Sequence, residues 1–454
     1  MSGPFLPKKK PPAPPMTTAC PDLIDFVPGD TTGLEIPAHP EALREAGTAF
    51  LTRAFRAFGS LGADNAVARI TRFERCPGGS TGTKMFLSVE YERPDPALHT
   101  DLFVKFSRDF TDARRDNPGR YEMVSEVPFA AVSRLPGFPI AVPVACFADY
   151  HMASGTGLVI TQRIPFGEGR IEPHRGKTLD YMTLDDPLPY YRQVVTSLAR
   201  LCAAHRSGSL APDLDERFPF DPVAGSADPI RYTREELRAE LDFCFDFARK
   251  CPRLLPPEVR SEECMAKMEA DTWRIFEHEA AIQRYLTGNP AMRALCHWNA
   301  HIDNCFFWRD EADRDALHCG FIDWGRVGQI TFGSALWGGL SAAHHDIWDH
   351  HLHELLELFV AEYVGNGGPA ITVEELEFHL TLHIAAMGVA RVLAFPEVIM
   401  FRLPGCVDAE GPRDPMFLPV ENARNTMHVY TVFLKFWRRQ DFGLTLDRLL
   451  ARGG

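Results

Sequence analysis

Between residues 37 and 61 apolar side chains recur at helical spacing. Leu43, Ala46, Phe50, Leu51, Ala54, Phe55 and Phe58 share one stripe, which predicts an amphipathic helix. The period then changes. NAVARITRFERC reads as a strand through Val67, Ile70 and Phe73, PGGSTGTK as a turn, and MFLSVEYE as a second strand. DLFVKFS at 101–107 is a third strand, YEMVSEVPFAAVSRL is helix-like, and IAVPVACFADY and GLVITQRI are two more strands. This order predicts a small, mostly antiparallel sheet with one helix. Beyond it, 165–188 is rich in Gly, Pro and charge and reads as a linker or insertion. From residue 189 the pattern is helical: Tyr191, Val194, Val195, Leu198, Leu201 and Cys202 form a stripe, and 234–251, 263–286, 334–364, 372–394 and 423–440 continue as helices. The stretch 395–419 reads as a Pro-rich loop between the last two.

The expected organisation is thus a Pro-rich disordered tail over 1–36, a β-rich, nucleotide-binding lobe over 37–164, the linker or insertion over 165–188, and a helical lobe over 189–454. The tail begins MSGPFLPKKKPPAPPMTT, where prolines interrupt any apolar run of the kind a signal peptide needs. No apolar run reaches the ~18 residues of a membrane helix. Net charge is −13, which disfavours nucleic acid and anionic lipid as partners. The 11 cysteines are an odd number, scattered among apolar neighbours without a CxxC pair, so reduced, buried thiols are expected rather than disulfides or zinc. Together these features lead to the expectation of a cytoplasmic protein with no membrane partner.

Candidate chemistry begins with Gly78, Gly79 and Gly82, which lie between two strands where backbone amides can approach phosphate oxygens. On its own such a turn is an ordinary hairpin. Lys105 interrupts an apolar strand and is a candidate phosphate contact, to be held by Glu126 or Glu122 from the next helix, with Glu126 preferred because the apolar run follows it. LCHWNAHIDNCFFW then sets Asn299 and Asn304 two and seven residues after His297, and FIDWG follows with Asp323. An Asn and an Asp from neighbouring loops form a hard-oxygen pair suited to Mg2+.

GGSTGTK, LFVKF, SEVPF, GLVITQRI, LCAAH, HWNAHIDN and FIDWG, spanning roughly 69–325, resemble the aminoglycoside phosphotransferase and choline kinase-like branch of the protein kinase-like fold. The resemblance implies an α+β, bilobal fold and ATP as phosphoryl donor to a small-molecule acceptor. It implies Lys105 and Glu126 as the ATP-orienting ion pair, Thr161, Gln162 and Arg163 as the strand exposing backbone groups to adenine, and Asn304 and Asp323 as Mg2+ ligands. His297 becomes a structural loop residue.

Two departures matter. Where the family has a catalytic Asp, this chain has Asn299, and a further Asp usual after the metal Asp is absent from ITFGSALW. Asn can orient a hydroxyl but has no proton affinity near neutral pH, so His301 and Asp303 are the candidate substitutes. Three readings stand: a phosphotransferase with a displaced or absent base, a nucleotide-binding pseudokinase acting as scaffold or regulator, or transfer to an amine or carboxylate that needs no base. A His-rich segment carrying His344, His345, His350, His351 and His353 reads as a helix wall, whose Asp346 and Asp349 would suit a cationic acceptor.

Overall fold

The computed structural model describes residues 22–313 and 315–453, which divide into two units: 22–173 with 320–327, and 174–319 with 328–453. In the first unit β1 (Phe26–Pro28) pairs antiparallel with β2 (Glu35–Pro37). The turn between them is fastened from afar: the buried Asp149 carboxylate accepts from the backbone N–H groups of Thr31 and Thr32. The tail expected over 1–36 is therefore corrected at its end. Residues 1–21 lie outside the described residues, and 26–37 form paired structure.

Helix α1 (Pro40–Ala57) starts with proline in its first turn, where a missing N–H costs nothing, and kinks at Gly47. It packs on one face of a five-stranded antiparallel sheet formed by β3 (Val67–Arg75), β4 (Thr83–Tyr91), β5 (Asp101–Phe106), β6 (Ala145–His151) and β7 (Thr156–Gln162). The strand order is β3-β4-β5-β7-β6. Phe50, Leu51 and Phe55 meet Leu87, Val89, Leu102, Val104, Phe147 and Ile160 on that face. Each such burial is worth about 1.5–3 kcal/mol. Since side chains alternate along a strand, the opposite face carries Lys84, Phe86, Lys105 and Val159.

After α2 (Ala113–Glu122), that second face is covered by Met123 and by Val127 and Ala130 of α3 (Glu126–Val132), against Ala145, Ala148, Tyr150 and Val159. A single helix through 121–135 is not what forms. The Glu122 carbonyl, which would accept from the Glu126 N–H in a continuous helix, instead accepts from the Arg326 N–H at 2.8 Å, and the chain breaks across 123–125.

The second unit is mainly helical. In chain order it contains α4 (Asp180–Thr183), α5 (Leu188–Arg206), α6 (Leu214–Arg217), α7 (Arg234–Lys250), α8 (Glu262–Glu277), α9 (Glu279–Gly288), β8 (Arg293–Cys296), β9 (Cys305–Arg309), β10 (Leu317–Phe321), β11 (Gly328–Thr331), α10 (Phe332–Leu340), α11 (Leu352–Gly365), α12 (Val373–Ala390), α13 (Phe395–Arg402), α14 (Glu421–Arg439) and α15 (Phe442–Ala451). β8 pairs antiparallel with β11. The apolar stripe of α5 is buried as its spacing predicts, and α12 is buried on nearly all sides.

Three expectations for this unit are corrected. The helix expected over 263–286 breaks at His278, the one expected over 334–364 breaks after Leu340, and the loop expected over 395–419 contains α13. Pro396 sits in the first turn of α13, where proline starts a helix rather than stopping one. No single helix among the described residues is long and apolar enough to cross a membrane. The ten described cysteines are free thiols, most of them buried.

Candidate functional site

Lys105 is the hub of the first unit. It rises from β5 on the face that α3 covers, and its Nζ donates to Glu126 Oε2 at 2.8 Å and to Asp323 Oδ1 at 2.7 Å. Lys105 and Glu126 are buried, while the Asp323 side chain keeps 29% of its surface exposed. Burial works to discharge the Lys105 ammonium, but Asp323 and then Glu126 outweigh it and push its pKa up. Burial pushes the Glu126 carboxyl up, against the pull of Lys105. Glu126 opens α3 and reaches Lys105, whereas Glu122 ends α2 and gives its carbonyl to Arg326.

Asp323 has φ 60°, a left-handed backbone that costs a non-glycine residue about 1–2 kcal/mol. Such strain persists where neighbours over-determine it. Here Trp324 does so, stacking on Phe129 of α3 at 4.0 Å and donating its indole N–H to the Phe321 carbonyl. Phe321 in turn donates its N–H to Ala141. The apolar residues around the FIDWG motif thus clamp the carboxylate beside Lys105.

Gly78, Gly79 and Gly82 all adopt positive φ. Arg115 from α2 ties the turn down, donating to the Gly79 carbonyl at 2.8 Å and the Gly82 carbonyl at 2.6 Å. The glycines are not equivalent. A Cβ at Gly78 would meet open space, whereas one at Gly82 would overlap the Phe106 carbonyl oxygen. Gly82→Ala is therefore expected to cost clearly more stability than Gly78→Ala, whose cost is the ~1–2 kcal/mol of its φ alone. Denaturant midpoints of the two variants measure the difference.

At the edge expected to face adenine, the Gln162 N–H donates to Val144 at 2.8 Å and the Arg163 N–H to Asp101 at 3.0 Å. Thr161 pairs with Phe103 inside the sheet, and its hydroxyl donates to the Gln162 carbonyl. The expectation that Thr161, Gln162 and Arg163 present free backbone groups is thus corrected for the N–H groups of Gln162 and Arg163, which the fold already uses.

The remaining candidates share one loop of the second unit. The Asn299 N–H donates to His297 Nδ1 at 3.1 Å, and Asn304 Nδ2 donates to the Asn299 carbonyl at 2.8 Å, so the loop is closed by its own polar groups. Gly338 of α10 lets it lie close, since a Cβ there would overlap the Trp298 carbonyl. His301 Nε2 lies 2.9 Å from Ser341 Oγ, and the Asp303 carbonyl lies 2.8 Å from His174 Nε2. His301 Nδ1 and Asp303 Oδ1 are buried without a hydrogen-bond partner. Burial, and then the charge of Lys177, hold the His301 pKa well below its ordinary value, so the ring is neutral at pH 7.

The His-rich segment is helical from His345 onward, with a π-helical turn over Ile347–His351 that runs into α11, while His344 precedes it. Asp349 pairs with Lys435 and Arg439, and Asp346 pairs with His344 at 3.2 Å. The Asp349 carboxylate is thus already answered by Lys435 and Arg439, which leaves Asp346 alone as support for a cationic-acceptor pocket there. Among the described residues no group of three or more His, Cys, Asp or Glu is arranged to hold a metal.

Lys84 escaped the sequence reading. It faces Lys105 across the β4–β5 ladder, is as buried as Lys105, and lies under Gly79, where a Cβ would overlap its ammonium. The available signal was a lysine directly after a glycine-rich turn, in GGSTGTK.

No family model matches the sequence, and no curated protein does. Among solved structures the chain is similar to a choline kinase from Cryptosporidium parvum Iowa II, at 13% identity over 84% of this chain and 90% of that one, with a TM-score of 0.39. It is similar to a choline/ethanolamine kinase family protein from Mesorhizobium loti, at 13% identity over 86% and 99%, with a TM-score of 0.34. It is also similar to a spectinomycin phosphotransferase in complex with ADP and spectinomycin, at 11% identity over 82% and 94%, with a TM-score of 0.40.

Proposed function

We propose that this chain transfers a phosphoryl group from Mg-bound ATP to a hydroxyl or amine of a small-molecule acceptor. The observation that carries the reading is the buried Lys105 ammonium, held jointly by Glu126 and by the strained, partly exposed Asp323. A lysine fixed by one carboxylate from a helix and one from a left-handed turn is a rigid cation beside a hard oxygen donor, which is what a nucleotide's phosphates and its metal require.

In this reading Lys105 would orient the phosphates, Glu126 keeps Lys105 in place, the amides of the turn at Gly78, Gly79 and Gly82 would face phosphate oxygens, and Asp323 and Asn304 would be the residues that hold the metal. The donor chemistry fits Mg2+, which takes one or two protein oxygens and completes its shell with phosphates and water. When bound, Mg2+ offsets the charge that develops on the transferred group. Asn299 orients the acceptor. Asp303, whose Oδ1 is buried and unpartnered, takes its proton in place of the missing Asp. His301 is a weaker candidate base, because its depressed pKa leaves it little affinity for a proton.

Asp303→Asn is expected to lower turnover about 10²–10⁴-fold with little change in MgATP affinity. ATP consumption across a panel of hydroxyl and amine acceptors, paired with MgATP titration, tests both points. Asn299 favours a second reading, a pseudokinase that binds nucleotide without turnover, because an amide cannot accept the proton. MgATP binding with no consumption over the whole panel, in wild type and in Asn299→Asp alike, selects that reading.

A further inference from the structure

Lys84 is hard to explain as a structural residue. Its ammonium is nearly as buried as that of Lys105, yet among the described residues no hydrogen bond or ion pair reaches it. The carboxylates nearby are taken: Glu126 and Asp323 both hold Lys105. Burial depresses the Lys84 pKa, and Asp323 acts on it only through space. An uncompensated buried ammonium is costly, and a methionine would fill the same volume without that cost.

The backbone is also shaped around it. Gly79, at φ 78°, has no side chain where a Cβ would overlap Lys84 Nζ, so the turn passes directly over the ammonium. Arg115, itself bound to the Gly79 and Gly82 carbonyls, turns those oxygens toward its guanidinium. Turns of this kind form anion-binding concavities.

On the nucleotide-binding reading proposed above, we infer that Lys84 is a second phosphate-binding lysine, whose ammonium, lodged beneath Gly79 on the sheet face it shares with Lys105, contacts the phosphate chain of a bound nucleoside triphosphate. The two lysines then divide the work. Lys105 is pinned by two carboxylates and sets position, while Lys84 touches no carboxylate and takes its contact counter-charge from the ligand. The ligand class is a nucleoside polyphosphate, favoured over the nucleoside by the extra cation.

Calorimetric titration of the full chain with MgATP, MgADP and adenosine tests this, on wild type, Lys84→Met, Lys84→Arg and Gly79→Ala. Lys84→Met is expected to weaken MgATP at least about tenfold, the scale of one lost charge-assisted hydrogen bond, while adenosine affinity and melting temperature stay at wild-type values or above. Lys84→Arg recovers most of the loss, and Gly79→Ala, which displaces the ammonium, shows the same selective weakening. Unchanged MgATP affinity in Lys84→Met overturns the inference while leaving nucleotide binding intact. Equal weakening of MgATP and adenosine overturns it in favour of a packing role. Absence of MgATP binding by wild type overturns the nucleotide reading itself, and the inference with it.

Discussion

Replacing Lys105 with methionine is expected to destabilise the protein by about 3–5 kcal/mol and to abolish measurable MgATP binding. The first figure follows from what remains behind. Glu126 is 8% exposed and loses the ammonium that Nζ presented at 2.8 Å, and Asp323 loses the same partner. Removing one member of a buried ion pair strands the other, which costs far more than the pair's net worth. The double variant Lys105→Met with Glu126→Gln removes the stranded charge and is expected to recover a large part of the lost stability without recovering nucleotide binding. Denaturant midpoints of the three proteins separate the two effects.

The pH dependence has a definite sign. The folded-state pKa of Glu126 is raised by burial even with Lys105 present, and is raised further without it. A carboxyl whose folded pKa exceeds its unfolded value contributes stability at low pH and loses it as pH rises through the folded pKa. The deficit of Lys105→Met is therefore smallest near the ordinary carboxylate range and grows toward neutrality. Wild type behaves differently at the alkaline end: Lys105 has a raised pKa of its own, so its contribution persists through neutral pH and is lost only when strongly alkaline solution discharges it. Midpoints at pH 5 and pH 8 for both proteins check that the deficit of Lys105→Met grows with pH.

What the sequence disclosed here followed from charge standing out against apolar pattern. Lys105 in LFVKF, Glu126 ahead of VPF and Asp323 inside FIDWG are each a single ionised group in an apolar run, and these three converge. Lys84 carries the same chemistry but stands at the end of a Gly- and Thr-rich turn, where a lysine looks solvent-facing. Only the start of β4 at Thr83 rather than Met85 puts it on the Lys105 face. The break between α2 and α3 was hidden for another reason, since the group that causes it, the Arg326 N–H, arrives from far along the chain. Residues 26–37 escaped because strands of three residues carry no readable period, and the contact that fixes their turn comes from Asp149. The helix expected over 334–364 is interrupted at 341–344, where the chain turns before the His-rich segment resumes as helix. The fold class was legible because alternation and helical stripes are local, whereas the α2–α3 break and the turn at 29–34 depend on contacts between distant residues.

Asp323→Asn is expected to lower turnover by at least ~10²–10³-fold while leaving the protein folded, and the two halves of that statement have separate causes. The fold survives because asparagine is among the few residues that accept the left-handed conformation at φ 60°, and because Trp324 on Phe129 holds the loop independently of the charge. Lys105 also keeps Glu126 as a counter-ion, so no buried ammonium is stranded. Turnover falls because an amide oxygen carries no net charge to hold a divalent cation against its hydration, and positioning of that cation is what phosphoryl transfer depends on most. The deficit should show as a higher Mg2+ requirement and a lower maximal rate of ATP consumption, with thermal stability of the ligand-free protein near wild type. Asp323→Ala separates conformation from charge: it adds the cost of a left-handed alanine, so it loses stability as well as rate. An Asp323→Asn protein that consumes ATP at the wild-type rate and Mg2+ dependence would remove Asp323 from the metal site and with it the role assigned to the Lys105 hub.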